Sequence, residues 1–262
     1  MIKKIIHIAD LHIRTIQLHD LYKEQFEKLL KEIGAKFLEW TDEGISHNEI
    51  RIVIAGDIAH QKINISNEQL LLTSWFLREL TRFGKVVIIP GNHDTGWSES
   101  GGLGFVQTFG ADRFSFNFQG IQFIGCASGP YVRMSDGHVP RDAVNWLDRE
   151  FGSLADTTPI IMFNHYPFDN SLDNWYEITD RIRQKNTWLA ICGHGHANRK
   201  MDFEGIPGVM GRSNLRAKAE VGGYNIVEVR ADSVLFSERR PARRTLAVWH
   251  AVSIQKGLVE KQ

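Results

Sequence analysis

Apolar positions in the first part of the chain follow two alternating patterns. Short runs rich in isoleucine and valine predict buried strands, because both faces of each run are apolar. These runs are 3–8, 51–55 and 85–89. Between the first two, 20–40 carries apolar residues at helical spacing and predicts an amphipathic helix. Ser66, with Gln69 three residues later, predicts the N-cap of a second helix that ends near residue 82.

The second part of the chain is richer in predicted strands. The runs 114–118 and 121–126, joined by a Gln-Gly pair, predict a hairpin. Helices are predicted at 141–151 and 174–185, and further strands at 159–164, 187–192, 199–203, 209–210, 224–229, 234–238 and 246–252. Together these elements predict an α/β fold, a two-sheet β-sandwich flanked by helices. We expect one domain over 1–262, with a core at 1–200 and a β-rich closing segment at 200–262.

Composition narrows the class of protein. The formal net charge is zero, so no global field attracts nucleic acid, although 239–244 and the group Arg212, Arg216 and Lys218 are basic. These clusters are interpreted as solvated turns, with contact to a phosphate backbone as the alternative. No apolar run is long enough to span a bilayer, and the start lacks the features of a secretory signal. We therefore expect a cytoplasmic protein without membrane contact, with Cys126 and Cys192 as buried free thiols.

Five short segments, most of them at the ends of predicted strands, carry side chains that bind hard metal ions. They are Asp10-Leu11-His12, Gly56-Asp57, Gly91-Asn92-His93-Asp94, Asn164-His165 and Gly193-His194-Gly195-His196. Ligand sites in open α/β sheets gather where strands end and loops converge. Each segment alone has a structural explanation, such as a packed histidine or an Asn/Asp turn. Their joint occurrence predicts one site for two metal ions.

The residue types agree with such a site. In extended backbone, residues two apart point the same way, so Asp10 and His12 can hold one ion, and His194 and His196 repeat that spacing. Asp57 offers two carboxylate oxygens that can bridge two cations. Nitrogen and oxygen donors without thiolate suit manganese, iron, zinc and similar divalent ions.

In this order, the motifs resemble those of the calcineurin-like metallophosphoesterases, over residues 1 to about 200. The resemblance implies a β-sandwich that carries two divalent ions, with manganese expected first and iron, zinc, magnesium, cobalt or nickel as alternatives. It implies ligation of the first ion by Asp10, His12, Asp57 and His196, and of the second by Asp57, Asn92, His165 and His194. The implied reaction is hydrolysis of a phosphodiester by a hydroxide that bridges the two metals.

His93 lies beside the ligands but outside the coordination set that the resemblance implies. We expect His93 to protonate the leaving alkoxide, with Asp94 as a hydrogen-bond partner that fixes its tautomer. A spare metal ligand or a packing residue is the alternative for His93.

Within the superfamily, the first half is most similar to the SbcD-type DNA-repair nucleases. Gly56-Asp57 followed by His60 carries this likeness, which implies that His60 helps to handle a DNA phosphate, with a surface loop residue as the alternative. The expected function is thus a DNA exo- or endonuclease, with an ATPase subunit as a possible partner. A small-molecule phosphodiesterase or phosphatase is the alternative. The oligomeric state stays open.

A group of aromatic residues could stack a nucleobase near the metals or could be loop packing: Trp97, Tyr166, Phe168, Trp175 and Tyr176. A non-catalytic scaffold is disfavoured, because every predicted ligand and His93 are present.

Overall fold

The computed structural model describes residues 4–61, 65–95, 102–129, 136–215, 222–240 and 247–254. Its strands are β1 (Lys4–Ile8), β2 (Ile50–Ala55), β3 (Lys85–Ile89), β4 (Arg113–Phe118), β5 (Ile121–Cys126), β6 (Ile160–Phe163), β7 (Thr187–Cys192), β8 (Arg199–Phe203), β9 (Ile206–Met210), β10 (Tyr224–Val229), β11 (Ser233–Arg239) and β12 (Val248–Ser253). Its α-helices are α1 (His19–Asp42), α2 (Asn67–Leu80), α3 (Asn92–Thr95), α4 (Leu103–Phe109), α5 (Arg141–Ser153) and α6 (Trp175–Ile182), with a 3₁₀ turn at His47–Glu49.

Two six-stranded sheets form the centre of the fold, in the orders β12-β11-β10-β1-β2-β3 and β4-β5-β6-β7-β9-β8. Strands β1, β2 and β3 are mutually parallel, and β5, β6, β7 and β9 form a second parallel set. The predicted α/β sandwich flanked by helices is confirmed. The predicted hairpin is also present, and Gln119 and Gly120 both have positive φ, as a type I′ hairpin turn requires.

Apolar side chains form three layers. One lies between the two sheets, one between the first sheet and helices α1 and α2, and one between the second sheet and helices α5 and α6. Successive residues of a strand point to opposite faces, so Ile5 packs toward the other sheet and Ile6 toward the helices. Strands buried on both faces explain the continuous apolar runs of the sequence.

The strands after residue 198 are divided between the two sheets. Strands β8 and β9 join the second sheet, whereas β10, β11 and β12 extend the first. The two cysteines are buried and free, as predicted. Among the helices described, none is both long and apolar enough to cross a membrane.

The basic residues near the chain end are not all solvated, contrary to the first interpretation. Arg212 is 4% exposed and Arg239 is 7% exposed. Arg212 pairs with Glu238 at 2.6 Å, and Arg240 binds the same carboxylate at 2.6 Å. The remainder of these clusters, Arg216, Lys218 and 241–244, lies outside the described residues. Burial explains the difference, since a charged side chain inside the fold requires a partner of opposite charge.

The ion pair of Arg212 with Glu238 should make folding depend on pH. Burial opposes ionisation of Glu238, but hydrogen bonds from Arg240 and Arg212 outweigh it and lower the pKa below its usual value of 4.5. A carboxylate with a lowered pKa stabilises the fold above its unfolded pKa and loses that contribution as the pH falls. Glu238→Gln should therefore cost about 2–3 kcal/mol at pH 7, because it leaves Arg212 buried without a carboxylate.

Urea denaturation of both proteins between pH 7 and pH 3 measures this effect. The stability difference should shrink as the pH falls below 4.5. Glu27→Gln on the exposed face of α1 is the control and should change stability little at any pH. If the stability difference between Glu238→Gln and the original protein is constant over the pH range, the stabilising role of ionised Glu238 is contradicted.

Candidate metal centre

The five motif segments all follow strands and meet at one edge of the sandwich. Asp10 and His12 follow β1, and Asp57 follows β2. Asn92 begins the short helix after β3, and His165 follows β6. His194 and His196 follow β7. Backbone bonds join the first two loops, from the Asp10 amide to the Gly56 carbonyl at 3.1 Å and from the His12 amide to the Asp57 carbonyl at 2.8 Å. The loops that follow parallel strands of both sheets thus place polar side chains together at this edge.

The backbone of the site is unusual. Eight non-glycine residues in the described part have positive φ, and five of them are predicted ligands. These five are Asp10 at 54°, His12 at 49°, Asp57 at 55°, His194 at 68° and His196 at 57°. Left-handed backbone costs about 1 kcal/mol for a residue with a Cβ atom. The extended backbone expected for Asp10, His12, His194 and His196 is therefore wrong, and left-handed backbone directs these side chains to the site instead.

The first group of donors consists of Asp10, His12 and His196, whose ligand atoms lie within 4.8 Å of one another. The Nε2 atoms of His12 and His196 face each other at 3.1 Å. The His196 Nε2 is 3.4 Å from Oδ1 of Asp10. The other oxygen of Asp10, Oδ2, is buried and has no hydrogen-bond partner among the described residues. Donor atoms on one divalent ion at about 2.1 Å lie about 3 Å apart, so this arrangement fits a cation.

Asp57 lies between this group and a second one. Its Oδ1 accepts a hydrogen bond from the His93 amide at 2.8 Å. Its Oδ2 is 3.4 Å from Nε2 of His12 and 3.4 Å from Nε2 of His165. The His165 Nε2 also lies 3.0 Å from Oδ1 of Asn92. One carboxylate oxygen thus has imidazole nitrogens from both sheets beside it.

The tautomer of His165 is set by the backbone. Its Nδ1 lies 2.8 Å from the Ala55 carbonyl, which can only accept, so Nδ1 carries a hydrogen. In the neutral ring the lone pair is then on Nε2, which faces the oxygens of Asp57 and Asn92. Such a contact is favourable only with a proton or a cation between the atoms.

The protonation states reflect this crowding. Burial opposes the charge on His165, but the Asp57 carboxylate outweighs it and raises the pKa of His165 to about 9. Burial likewise opposes ionisation of Asp57, yet the His165 and His12 rings hold its pKa below the usual range. Burial raises the pKa of Asp10. The raised pKa of His165 reflects the same negative charge that a cation would neutralise.

His194 lies at the margin of the donor groups. In the described part of the chain, the groups with ligand atoms within 4.8 Å do not include it. Its ring centroid is 5.3 Å from that of His165 and 4.1 Å from that of Tyr166. Burial and the neighbouring His165 lower the pKa of His194 to about 4, which keeps the ring neutral. A neutral imidazole is the form that binds metal.

The glycines of the motifs allow close approach of the loops. A Cβ atom on Gly91 would overlap the amide and carboxylate of Asp57. A Cβ atom on Gly56 would lie 2.6 Å from Nδ1 of His165, and φ at Gly56 is +84°. The glycines that precede Asp57 and Asn92 are thus required for packing around Asp57.

His93 lies beside the centre, as predicted, with Nε2 4.0 Å from Oδ2 of Asp57. Its Nδ1 donates to the His60 carbonyl, so that backbone group sets the tautomer. The His60 ring stacks on His93 with centroids 5.6 Å apart, and His12, His60 and His93 form a third compact donor group.

The role expected of Asp94 is corrected by the structure. Its Oδ1 accepts from the amides of Ile58 at 2.9 Å and Ala59 at 3.0 Å. Its Oδ2 accepts from the Gly91 amide at 2.9 Å. Three backbone donors outcompete the neighbouring ring, because they are fixed in position and otherwise buried. Asp94 therefore ties the loop after β2 to the loop after β3, and the His60 carbonyl orients His93.

The aromatic residues divide between core and surface. Tyr166 is 1% exposed and Phe168 is 3% exposed, so both are packed in the interior. Tyr176 is 53% exposed. Trp175 is partly buried against the core between the second sheet and α5 and α6. Trp97 lies outside the described residues. For Tyr166 and Phe168, loop packing is the observed role.

Ser213 supports the site and was missed by the sequence reading. Its hydroxyl donates to the Asp10 carbonyl at 2.8 Å, and the Asn214 amide donates to the Ala9 carbonyl at 2.9 Å. Its position just after a strand, in a polar turn, was the only available signal. The segment holds the Asp10 loop from the side opposite Gly56.

A layered α/β sandwich with carboxylate and imidazole donors gathered at its strand ends is the arrangement of a dimetal phosphoesterase. A sequence model of calcineurin-like phosphoesterases matches residues 3–227, and the chain belongs to that family of hydrolases.

Two solved structures share this fold, and one further protein is similar in sequence. A dimetal phosphatase from Danio rerio superposes with a TM-score of 0.67 at 14% identity, covering 98% of this chain and 99% of that one. GAP50 of Plasmodium, described as the anchor in the inner membrane complex, superposes with a TM-score of 0.57 at 12% identity, covering 97% and 89%. An uncharacterized protein of Acanthamoeba polyphaga mimivirus is 39% identical over 102 residues, which are 39% of this chain and 7% of that protein.

Gly91→Ala should displace Asp57, because the added methyl group overlaps the amide and carboxylate of that residue. We expect a loss of about 1–3 kcal/mol in stability from overpacking. Bound metal after incubation with manganese should also fall, as measured by elemental analysis. Gly152→Ala in α5, where a Cβ atom meets nothing within 4 Å, is the matched control and should keep both stability and metal. Normal metal content in Gly91→Ala would refute the packing argument.

Proposed function

We propose that this protein is a divalent-metal-dependent phosphodiesterase. The observation that carries the proposal is the convergence of Asp10, His12, Asp57, His165 and His196 from both sheets around buried oxygen and nitrogen atoms. Membership of the dimetal phosphoesterase family supports a hydrolytic reaction at this site.

The ligand assignment that we propose follows the two groups of donors. Asp10, His12, Asp57 and His196 would hold one ion, and Asp57, Asn92, His165 and His194 would hold the other. Asp57 is shared, which its position between His12 and His165 supports. Manganese is the ion that we propose first, since the donors are imidazoles, carboxylates and an amide.

The bound ions would supply Lewis-acid polarisation of the phosphate and an activated water. The chain's own residues would orient the phosphate and move a proton. Nδ1 of His93 is engaged by the His60 carbonyl in either protonation state, so Nε2 is the atom that can exchange a proton with substrate. Its Nε2 lies near Asp57 and the His93 side chain is 17% exposed, which suits protonation of a leaving alkoxide.

DNA is the substrate that we propose first, on the likeness of the first half to SbcD-type nucleases. In this proposal His60, stacked on His93, helps to position a phosphate of the strand. An ATPase partner and a cytoplasmic location belong to the same proposal. A small phosphodiester is the second candidate, and a compact cavity beside His93 favours it.

Asp57→Asn should remove the shared anionic ligand and abolish binding at both positions. We expect metal content near zero by elemental analysis after dialysis against manganese, and loss of hydrolysis of bis-p-nitrophenyl phosphate. Asp156→Asn, on an exposed side chain remote from the centre, should retain both. Full metal content in Asp57→Asn would show that the donors do not act as one site.

His93→Ala should keep metal and lose turnover selectively. For alkyl leaving groups, which need a proton, we expect a fall of about 100- to 10,000-fold in kcat. For p-nitrophenol, a stable anion, the loss should be much smaller. His138→Ala, paired with Asp173 on the surface, is the matched control. Equal losses for all leaving groups would contradict the acid role of His93.

A panel of substrates separates the candidates for the natural reaction. Single- and double-stranded DNA, cyclic AMP, bis-p-nitrophenyl phosphate and a phosphomonoester should be compared with manganese present. Release of nucleotides from DNA at a rate far above that of cyclic AMP cleavage supports the nuclease. A rate on cyclic AMP far above that on DNA supports the small-molecule enzyme and contradicts the nuclease proposal.

A further inference from the structure

Three histidine rings beside the metal centre form a donor group that contains no carboxylate. His12, His60 and His93 each have a ring nitrogen within 4.8 Å of those of the other two. The ring centroid of His12 lies 4.7 Å from that of His93 and 5.5 Å from that of His60, and the remaining pair is 5.6 Å apart. Three imidazoles that bind one zinc ion at about 2.1 Å place their ring centroids about 5 Å apart. The spacing therefore fits a single ion bound by all three rings.

The ligand chemistry of this group differs from that of its neighbours. In the described part of the chain, the other two compact donor groups both contain Asp10, and one of them also contains Asp57. Carboxylate oxygens suit manganese, whereas imidazole suits zinc, which also binds a given nitrogen site more tightly than manganese does. Three histidines with water as the fourth ligand are an established coordination of zinc. The group of three rings is thus expected to select zinc from a mixture of zinc and manganese.

His93 can bind an ion only through Nε2. Its Nδ1 donates to the His60 carbonyl, so the lone pair of the neutral ring is on Nε2. In the proposed reaction, that same atom carries the proton for the leaving oxygen. A ring nitrogen has one lone pair, so a zinc ion on Nε2 excludes the proton. Zinc bound by His93 would therefore remove the acid.

His12 belongs both to this group and to the first group of donors. Its Nε2 is 3.1 Å from Nε2 of His196 and 3.4 Å from Oδ2 of Asp57. The same Asp57 oxygen is 4.0 Å from Nε2 of His93, so both Nε2 atoms lie beside one carboxylate oxygen. One lone pair cannot bind two ions. Through Nε2 of His12, an ion held by the three rings would compete with the first catalytic ion.

His60 is the member of the group that neither proposed catalytic ion uses. Its backbone is fixed, because its amide donates to the Ile13 carbonyl at 2.9 Å and its carbonyl accepts from His93. Its ring plane lies 12° from that of His93, so the His60 ring must turn about its side-chain torsions to share an ion with that ring. The residue is partly exposed, which leaves room for this turn. Only one side chain has to move to complete the site.

We propose that His12, His60 and His93 form an inhibitory zinc site. Zinc bound there would withdraw His12 from the first catalytic ion and block Nε2 of His93. The inhibition rests on the proposed function, whereas the binding of zinc by the three rings does not. The ratio of zinc to manganese would then set the activity of the protein.

A variant with impaired catalytic positions tests zinc binding without an assay of hydrolysis. Asp57→Asn combined with His196→Ala removes the shared carboxylate and a ligand of the first ion but keeps the three rings. Calorimetric titration with zinc should show binding to this background variant. Adding His60→Ala should weaken that binding at least about tenfold, since loss of a mere hydrogen-bond partner of a metal-binding histidine already costs about 10- to 100-fold. Adding His47→Ala, on an exposed side chain, is the matched control and should change nothing. Zinc affinity that is the same with and without His60 would overturn the inference.

Zinc should also inhibit the manganese-loaded enzyme, measured by hydrolysis of bis-p-nitrophenyl phosphate. His60→Ala should raise the zinc concentration for half inhibition at least about tenfold, whatever its own rate without zinc. His47→Ala should keep the original value. More manganese should relieve the inhibition, because both ions compete for His12. An unchanged zinc dependence in His60→Ala would contradict the inhibitory site.

Two further outcomes keep this inference separate from the proposed function. If no phosphate ester is hydrolysed, the proposed function fails, and the calorimetric titration decides the zinc site by itself. If circular dichroism shows that the background variant is unfolded, zinc is added to the original protein and to His60→Ala, both saturated with manganese. Electron paramagnetic resonance then measures the manganese released. Release from the original protein should need at least about tenfold less zinc than release from His60→Ala. Equal release from both would refute the inference.

Discussion

The contacts of the Asp57 carboxylate determine how the surrounding loops are arranged. One of its oxygens is held by the His93 amide, and the other lies 3.4 Å from imidazole nitrogens of both sheets. To admit that carboxylate, the loop after β3 must approach so closely that only glycine fits at position 91. Asp10, His12 and Asp57 all have left-handed backbone at this centre. Conformational strain at the strand ends is thus offset by packing in the layers beneath.

The electrostatics of the centre depend on that geometry as well. Carboxylates and imidazoles are buried together, and the raised pKa of His165 shows that the cluster attracts positive charge. Asp94 adds a further negative group, and burial and the nearby Asp57 raise the pKa of Asp94 to about 6. The backbone amides of the loops after β2 and β3 stabilise it without adding a cation. Backbone amides therefore join the loops after β2 and β3 through Asp94, and the imidazole and other carboxylate groups remain available to bind ions.

The sequence predicted the strands and helices of the alternating half, because the period and length of an apolar run are local properties. It also predicted that the candidate donors follow strands, for the same reason. Ser66 was predicted as a cap for the same reason. Features that depend on contacts between residues far apart in the chain could not be predicted from the sequence. Arg212 was read as a surface residue, since nothing local shows that Glu238, 26 residues away, neutralises it. The three amides around Asp94 and the division of the last strands between two sheets are likewise products of tertiary packing.

The hydrogen bond from the His194 amide to Asp10 joins residues 184 positions apart in the chain. Contacts of such separation form slowly, because the entropy of closing a long loop is lost before the contact stabilises anything. Neither sheet by itself contains the full set of donors, so high-affinity chelation arises only after the sheets have docked. Ion uptake during refolding would consequently mark completion of the native topology and distinguish it from earlier collapsed forms.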